Sequence, residues 1–599
     1  MELSSMGREA MLEMRMVMTS SEGCSSPSWR FPISRRQKMI SRYRRIARIK
    51  TITGSHPFFI RRIFSKTPPI LLLNSGGHDG FSITLRGKVI PKGAMAVKGN
   101  LRFERAEEPP AEEASRRLSG DLDQNLILLR EKLWNSADLV TRPVTAGGVD
   151  LCFVMMEGLC DLSKLDEAVV RPLSLREFSC GWDVFAFLEG ASIVGDVQDV
   201  YEFDELIRRI ASGFVAILMQ GVPAAVVMGA QGFAYRSVSQ PESEVNEKGS
   251  RESFTEPIKV NISLIRRRMK SGQVCFEMIE VGAEGKSSAC LVYSPPAVNG
   301  KLLEEVRQRL KQVNLELVLD TGYLQPFLEG RPLSLFSEVG YTERPDTVCA
   351  KIQEGRVVVL LDGTPHAIIV PHLFVENFQS FDDYSNRPYF AAFIRLLKYF
   401  SFFVSILLPG IYVAVATFHP AALPHALLFN IATAEETTPF PLILEALVIH
   451  LIYEIMREAG LRLPRPVGHA IGIVGALVIG DAAVTAGIIG APMVMVVALT
   501  AISSFVVPSL YEPGLVLRFA FILLGGLTGL YGISLVMAVL LVNICKLNNL
   551  GVPFTSPLTP LTPRAMRDVF IRIGWKRLGR VTRLQNLRGG DLDSTSIRR

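Results

Sequence analysis

The chain has 599 residues, 48% hydrophobic and 21% charged, with a formal net charge of +7; at about 100–200 residues per domain this excludes one compact fold and predicts several units. Its mean hydropathy of +0.27 is high for a soluble chain. The charges are missing from one region, because from Tyr399 to Met456 there is no Lys or Arg and only four acidic residues, and from Phe519 to Cys545 there is no charge at all. Apolar runs near about twenty residues are membrane-span candidates, so a wholly soluble protein is excluded. Eight cysteines with no CxxC spacing argue against a zinc site or a disulfide framework and read as reduced core residues.

Residues 1–117 are expected to be a disordered basic N-terminal arm. Between Arg30 and Lys66 there are twelve Lys or Arg and no Asp or Glu. This run has no sustained apolar period and leads into an acidic, Pro- and Ala-rich stretch at 107–115, which suits an unstructured tail better than an arm for nucleic acid. No secretory signal precedes the body, so the N-terminus is expected in the cytosol, and Met95 offers an alternative start.

From 118 to 387 charged helical stretches alternate with short β-branched runs, which predicts a cytosolic α/β region. The pattern G-x-V-x-x-L-x-x-G-x-P-x-A occurs at 213–225 and again at 355–367. In each copy a helix leads into a strand, a Gly turn and a second strand, so two related subdomains are expected, 118–296 and 297–387, divided at Pro295-Pro296. They either face each other across a cleft or form a duplicated scaffold without a ligand. Further strands are expected at 274–281, 289–293 and 315–319, with a helix at 301–313. No G-x-x-x-x-G-K-[ST], G-x-G-x-x-G or H-E-x-x-H is present, so no cofactor or metal is expected. His366 and His372 read as structural.

Residues 388–546 predict a transmembrane helical domain with apolar segments at 400–418, 439–456, 467–479, 484–510 and 515–545. Arg387, Arg395 and Lys398 precede the first segment, Glu435 and Glu436 lie in the loop after it, and Arg457, Arg462 and Arg465 follow the second. The positive-inside bias then places the preceding domain in the cytosol, together with a basic C-terminal tail at 547–599 that carries Arg564, Arg567, Arg572, Lys576 and Arg577. Five crossings cannot leave both flanks on one side. The short, Gly-rich segment 467–479, followed by Asp481, is therefore expected to be re-entrant.

The stretch 236–268 alternates acids and bases too densely for a dry core. Arg236, Arg251, Arg266 and Arg268 can pair with Glu242, Glu244, Glu252 and Glu256, as an assembly or gating surface or as a solvated salt-bridge network. No nucleophile constellation accompanies them, so catalysis is not expected. Glu445 and Glu454 interrupt the second apolar segment nine residues apart and point to opposite faces of a helix. Glu454 has Arg457 three residues on and predicts an ion pair at the membrane boundary that serves assembly. Glu445 has no nearby base and is either an ion-path residue or a hydrogen-bonded helix contact; Asp481 is the other ion-path candidate.

The same stretch carries R-S-x-x-x-P-x-x-E from Arg236, G-x-x-E-x-F-x-E from Gly249 and N-x-x-L-I-R-x-R from Asn261. T-E-R-P-D at 342–346, F-Q-S-F-D-D-Y at 378–384, L-P-G-I-Y-V-A at 408–414, R-E-A-G-L-R-L-P at 457–464 and S-P-L-T-P at 556–560 follow in order. With these motifs the chain resembles the GerA family, the A subunits of bacterial spore germinant receptors, over about 118–577. Gln240, Ser250 and Ser253 depart from the family pattern. The resemblance implies a non-enzymatic, integral-membrane subunit in the spore inner membrane. It further implies a transporter-like B subunit and a lipoprotein C subunit as partners, and a homo-oligomer that passes monovalent cations when the complex senses nutrient. A secondary transporter of a small solute is the alternative, although no inverted repeat is visible among the apolar segments.

Overall fold

The computed structural model describes residues 84–85, 88–89, 116–190, 196–232, 241, 244, 246, 248–464, 480–563 and 565–578. The chain divides into Met1–Glu107 and Glu108–Arg599. In the first unit Thr84–Leu85 pairs antiparallel with Lys88–Val89; the rest of the expected arm up to residue 115 lies outside the described residues.

The second unit begins with a structural duplication. Its first copy runs α1 (Leu122–Lys132), β1 (Leu139–Ala146), β2 (Val149–Met156), α2 (Gly181–Gly190), β3 (Val197–Val200), α3 (Phe203–Ile210), β4 (Phe214–Met219) and β5 (Ala225–Gly229). The other copy repeats this order with α4 (Ile258–Arg268), β6 (Cys275–Val281), β7 (Ser287–Tyr293), α5 (Gly300–Lys311), β8 (Gly340–Thr342), α6 (Pro345–Gln353), β9 (Val357–Leu361) and β10 (Ala367–Val370). The sheets match strand for strand, in the orders β1-β2-β4-β5-β3 and β6-β7-β9-β10-β8, and every pairing in them is antiparallel. The glycines of the sequence repeat occupy matching turns, Gly221 at φ +82° and Gly363 at φ +92°, a region that residues with a Cβ avoid.

Each sheet is covered on both faces. Successive side chains of a strand point to opposite sides, so Leu151, Phe153 and Met155 pack with Val184 and Leu188 of α2. Cys152, Val154 and Met156 pack instead with Leu129 of α1 and Phe203, Leu206 and Ile210 of α3. In the second copy Leu291, Val357 and Val359 meet Leu302, Val306 and Leu310 of α5, while Phe276, Val292 and Val358 meet Ile262 and Ile265 of α4 and Val348 and Ile352 of α6. Burial on both faces explains why these strands read as continuous apolar runs.

The expected alternation of helices and strands is present, although both sheets are antiparallel throughout, and two further differences stand out. Strands β6 and β7, on the N-terminal side of the boundary expected at 296/297, are hydrogen-bonded into the second sheet through β9, so the division falls before α4. Residues 315–319 form no strand; Leu315 and Glu316 offer their carbonyls to Ala283 and Glu284 at 2.8 and 3.1 Å as a loop. The cysteines also differ from expectation, since Cys152, Cys275 and Cys290 are buried whereas Cys180 and Cys545 are exposed.

A helical bundle follows, with α7 (Pro388–Phe418), α8 (His425–Glu436), α9 (Leu442–Arg462), α10 (Ala491–Phe505), α11 (Tyr511–Thr528) and α12 (Leu530–Lys546). Two helices, Pro388–Phe418 and Pro508–Thr528, are long and apolar enough to cross a membrane, and Ala491–Phe505 and Leu530–Lys546 are apolar but shorter. The loop expected after the first segment contains α8. The single segment expected over 515–545 is two helices, because Gly529 takes φ +69° and ends the first of them. The re-entrant stretch expected at 467–479 lies outside the described residues.

Contacts set the direction of each helix. A Cβ on Gly410 would meet Phe521, and one on Gly529 would meet Phe418 and His419, so α7 and α11 run the same way. Ile443 lies at Gly526 while Glu454 lies at Tyr511 and Arg518, so α9 runs opposite. Helix α12 returns, since Ile544, Leu547 and Phe554 pack with Phe336, Phe378 and Phe402 at the sheet end of the bundle. The segment after it docks on the second copy, where Asn549 Nδ2 donates to the carbonyl of Leu328 at 3.3 Å and Arg309 Nη1 donates to Asn549 Oδ1 at 3.0 Å.

Candidate functional site

Three polar clusters follow one another from the sheets to the bundle. The first joins the two copies. Arg266 and Asp138 have side chains 0% and 1% exposed. Arg266 Nε and Nη2 reach the two oxygens of Asp138 at 2.7 and 2.8 Å, and Nη2 also donates to Ser136 Oγ at 3.1 Å. Beside them Ala137 N donates to the carbonyl of Phe276 at 2.8 Å. Arg266 had been expected to pair within 236–268; its partner lies 128 residues away in the other copy. The reason is helical geometry, since successive residues turn by about 100°. Arg266 therefore faces the first copy while Arg268 faces the loop, where it meets Glu252 Oε2 and Ser250 Oγ, both at 2.6 Å. Arg267 binds the other oxygen of Glu252. Burial would raise the Glu252 carboxyl, but the two guanidinium groups outweigh it and hold the group below the usual range.

The loop carrying Glu244 to Glu252 is pinned to the edge of the second sheet. The Thr342 hydroxyl donates to Glu244 Oε2 at 2.6 Å, and burial pushes the Glu244 carboxyl up. Arg344 forms a buried pair with Asp346 at 2.6 Å, donates to the carbonyl of Ser250 at 2.9 Å, and lies over the Phe381 ring at 5.1 Å. Lys248 Nζ reaches Asn386 Oδ1 at 3.2 Å. Arg251 and Glu256 are exposed; Glu256 contributes its backbone carbonyl, which accepts from Gly363 N at 2.9 Å. Arg236 and Glu242 lie outside the described residues.

A second cluster stands where α7 leaves the sheets. Arg395 Nε meets Asp383 Oδ2 at 2.6 Å and Nη1 meets Asp568 Oδ1 at 2.8 Å. The Tyr384 hydroxyl donates to Asp568 Oδ2 at 2.8 Å. Close by, Glu376 binds Lys351 and Arg356, both at 2.5 Å, and His372 at 3.2 Å. Burial alone would raise the Glu376 carboxyl; Arg356 and Lys351 overcome it and hold the group well below the carboxylate range.

The third cluster lies inside the bundle. Glu454 Oε2 meets Arg457 Nε at 3.1 Å, as expected, and Oε1 meets Arg518 Nη1 at 3.1 Å. The Tyr511 hydroxyl donates to the same carboxylate, Arg457 lies over the Tyr511 ring at 3.7 Å, and Arg518 Nε donates to the carbonyl of Ser405 at 3.0 Å. Helices α7, α9 and α11 are thus tied at one point. Arg518 went unnoticed in the sequence, yet it is the lone Lys or Arg between Arg465 and Lys546. Glu445, at the other end of α9, is buried, and its Oε1 accepts from Gly490 N at 2.6 Å. This bond caps the start of α10. Asp481 is exposed.

Comparison with known proteins agrees with these motifs. Residues 128–583 match the family described as Bacillus/Clostridium GerA spore germination protein. Spore germination protein KA of Bacillus subtilis (strain 168) is 36% identical over 464 residues, covering 76% of this chain and 85% of that protein. The uncharacterized membrane protein YfkQ of the same organism is 35% identical over 456 residues, covering 76% of this chain and 88% of that protein. A crystal structure of the N-terminal domain of the A subunit of the Bacillus megaterium spore germinant receptor GerK3 is 26% identical, with a TM-score of 0.35, covering 43% of this chain and 97% of that one. With the family matched from strand-bearing copies through the bundle, the chain belongs to the GerA family of spore germination proteins.

Proposed function

We propose that the chain is a multi-pass subunit of a germinant receptor in the spore inner membrane, with its sheet domain in the cytosol. It works there with a transporter-like B subunit and a lipoprotein C subunit, and converts nutrient sensing into cation release as an oligomeric channel. The observation that carries this reading is the Glu454–Arg518 pair within apolar helices. Charges at such depth are costly unless paired, and they are retained where they serve conduction or gating. The pair holds α9, α11 and α7 together as a closed-state lock. A ring of copies would repeat Glu445, and the exposed Asp481, around one axis and focus cations there.

The test is monovalent cation release from spores after nutrient addition, with protein level followed by immunoblot. Glu454→Gln takes the carboxylate from the buried Arg518 and from Arg457 and should lower protein level or change release; Arg518→Gln leaves Glu454 with Arg457 and should do so less, and the double variant should recover protein level relative to Glu454→Gln. Glu445→Gln keeps an acceptor for Gly490 N and removes the charge; reduced release at a normal protein level assigns that charge to the path. Normal release from all of these variants at normal level would sink the channel reading.

A further inference from the structure

At the junction between sheets and bundle the guanidinium of Arg395 lacks a partner at Nη2 alone, while that of Arg572 lacks one at two of its nitrogens, among the described residues. Arg572 is 2% exposed. Its Nη1 donates to the carbonyls of Asp383 and Asn386 at 2.6 and 2.9 Å, and the group lies over the Tyr384 and Trp575 rings at 5.3 and 5.1 Å. Nε and Nη2 have no hydrogen-bond partner among the described residues. Asp383 and Asp568 are committed elsewhere, since both bind Arg395. Buried donors without an acceptor are costly, so Nε and Nη2 call for an anion beyond the described residues.

Its surroundings say which anion. Arg572 lines a cavity of about 570 Å³ together with Lys576, Pro388, Tyr389, Ala392 and Trp575. The cavity sits at the first turn of α7, where Tyr389 and Trp575 are exposed, and Phe393 and Phe400 are exposed further along the helix. Aromatic residues and bases at the end of a long apolar helix mark the level of lipid headgroups. A guanidinium with two free donors beside an ammonium group matches a phosphate, and the apolar wall beside it matches an acyl chain. We propose that this cavity binds the phosphate of an anionic phospholipid, which completes Arg572 and fastens the C-terminal segment to the membrane surface. The proposal rests on the membrane reading above.

The test uses the full-length chain. Membrane fractionation comes first, and recovery in the soluble fraction would overturn both readings. Detergent-purified protein is then titrated with phosphatidylglycerol and with phosphatidylcholine, and bound lipid is counted by native mass spectrometry. One phosphatidylglycerol per chain should be retained in preference to phosphatidylcholine, and millimolar inorganic phosphate should not displace it. Lys576→Gln, on an exposed side chain, should weaken phosphatidylglycerol binding by about fivefold, the effect of one basic charge near an anionic surface, at unchanged melting temperature. Arg572→Lys should weaken it further; should that variant fail to fold, Lys576→Gln decides. Equal retention of the two lipids, displacement by phosphate, or an unchanged Lys576→Gln affinity would overturn the lipid site while leaving the membrane reading intact.

Discussion

Arg266 is the side chain on which the two copies depend. Its bidentate bond to Asp138 is buried at both ends, and removing one partner from such a pair leaves a charge in a site without water. Asp138→Asn should therefore cost about 3–5 kcal/mol, read as a large fall in melting temperature of the purified chain. A fall no greater than that of a surface Asp→Asn control would refute the clamp. Glu376 makes the corresponding prediction in pH. Its folded value lies well below the ordinary one, so its stabilisation is complete above about pH 4.3 and is lost as pH falls through the folded value. Urea midpoints measured from pH 7 to pH 3 should drop for the wild type. Glu376→Gln should start lower at neutral pH, where Arg356 and Lys351 lose their partner, and should fall less steeply on acidification. Parallel pH curves for the two proteins would show that another carboxylate controls acid lability.

Among the elements, α7 and α11 cross with their backbones close together. A Cβ on Gly410 would stand 2.6 Å from the carbonyl oxygen of Phe521, and one on Gly525 would stand 2.8 Å from that of Gly410. Backbones that approach this closely need residues without side chains. Gly410→Ala should force the helices apart, disturb the nearby Arg518 bond to Ser405, and lower the yield of folded protein several-fold in size-exclusion profiles. Gly460 in α9 has nothing within 4 Å of its would-be Cβ, and Gly460→Ala should leave yield unchanged or raise it, because Ala favours helix by about 1 kcal/mol. Similar losses for the two variants would mean that helix propensity, not the crossing, sets the yield.

For the molecule as a whole the consequence is where the flanks of the bundle lie. Helix α9 ends beside the sheets, and Gly490, where α10 begins, sits by Glu445 at the opposite end. From there α10, α11 and α12 run back, out and back. With 515–545 split into two helices, the first turn of α7 and the end of α12 both lie at the sheet end of the bundle. Impermeant maleimide should label native Cys180 and an introduced Lys576→Cys from one side of the membrane, and Thr437→Cys from the other. Labelling of Lys576→Cys and Thr437→Cys from the same side would refute this topology.

Some of this was legible in the sequence because it is local. The repeated glycines fell on matching turns, the helix of 203–210 showed its buried stripe at Phe203, Leu206, Ile207 and Ile210, and Glu454 found the Arg457 three residues away. The order of the motifs carried the family. What the sequence could not reveal depends on distant segments meeting. Strand order placed β6 and β7 with the second copy, because hydrogen bonding between strands follows register in space and ignores the Pro-Pro break. Arg266 and Arg518 found Asp138 and Glu454 at sequence separations of 128 and 64 residues, which no spacing rule reaches. The backbone angle at Gly529 divided one apolar run into two helices, and hydropathy is blind to that angle. Local chemistry thus named the elements and the family, while the pairing of buried charges and the direction of the helices were decided only when the chain closed on itself, since desolvated charges take whichever partner the packing brings within reach.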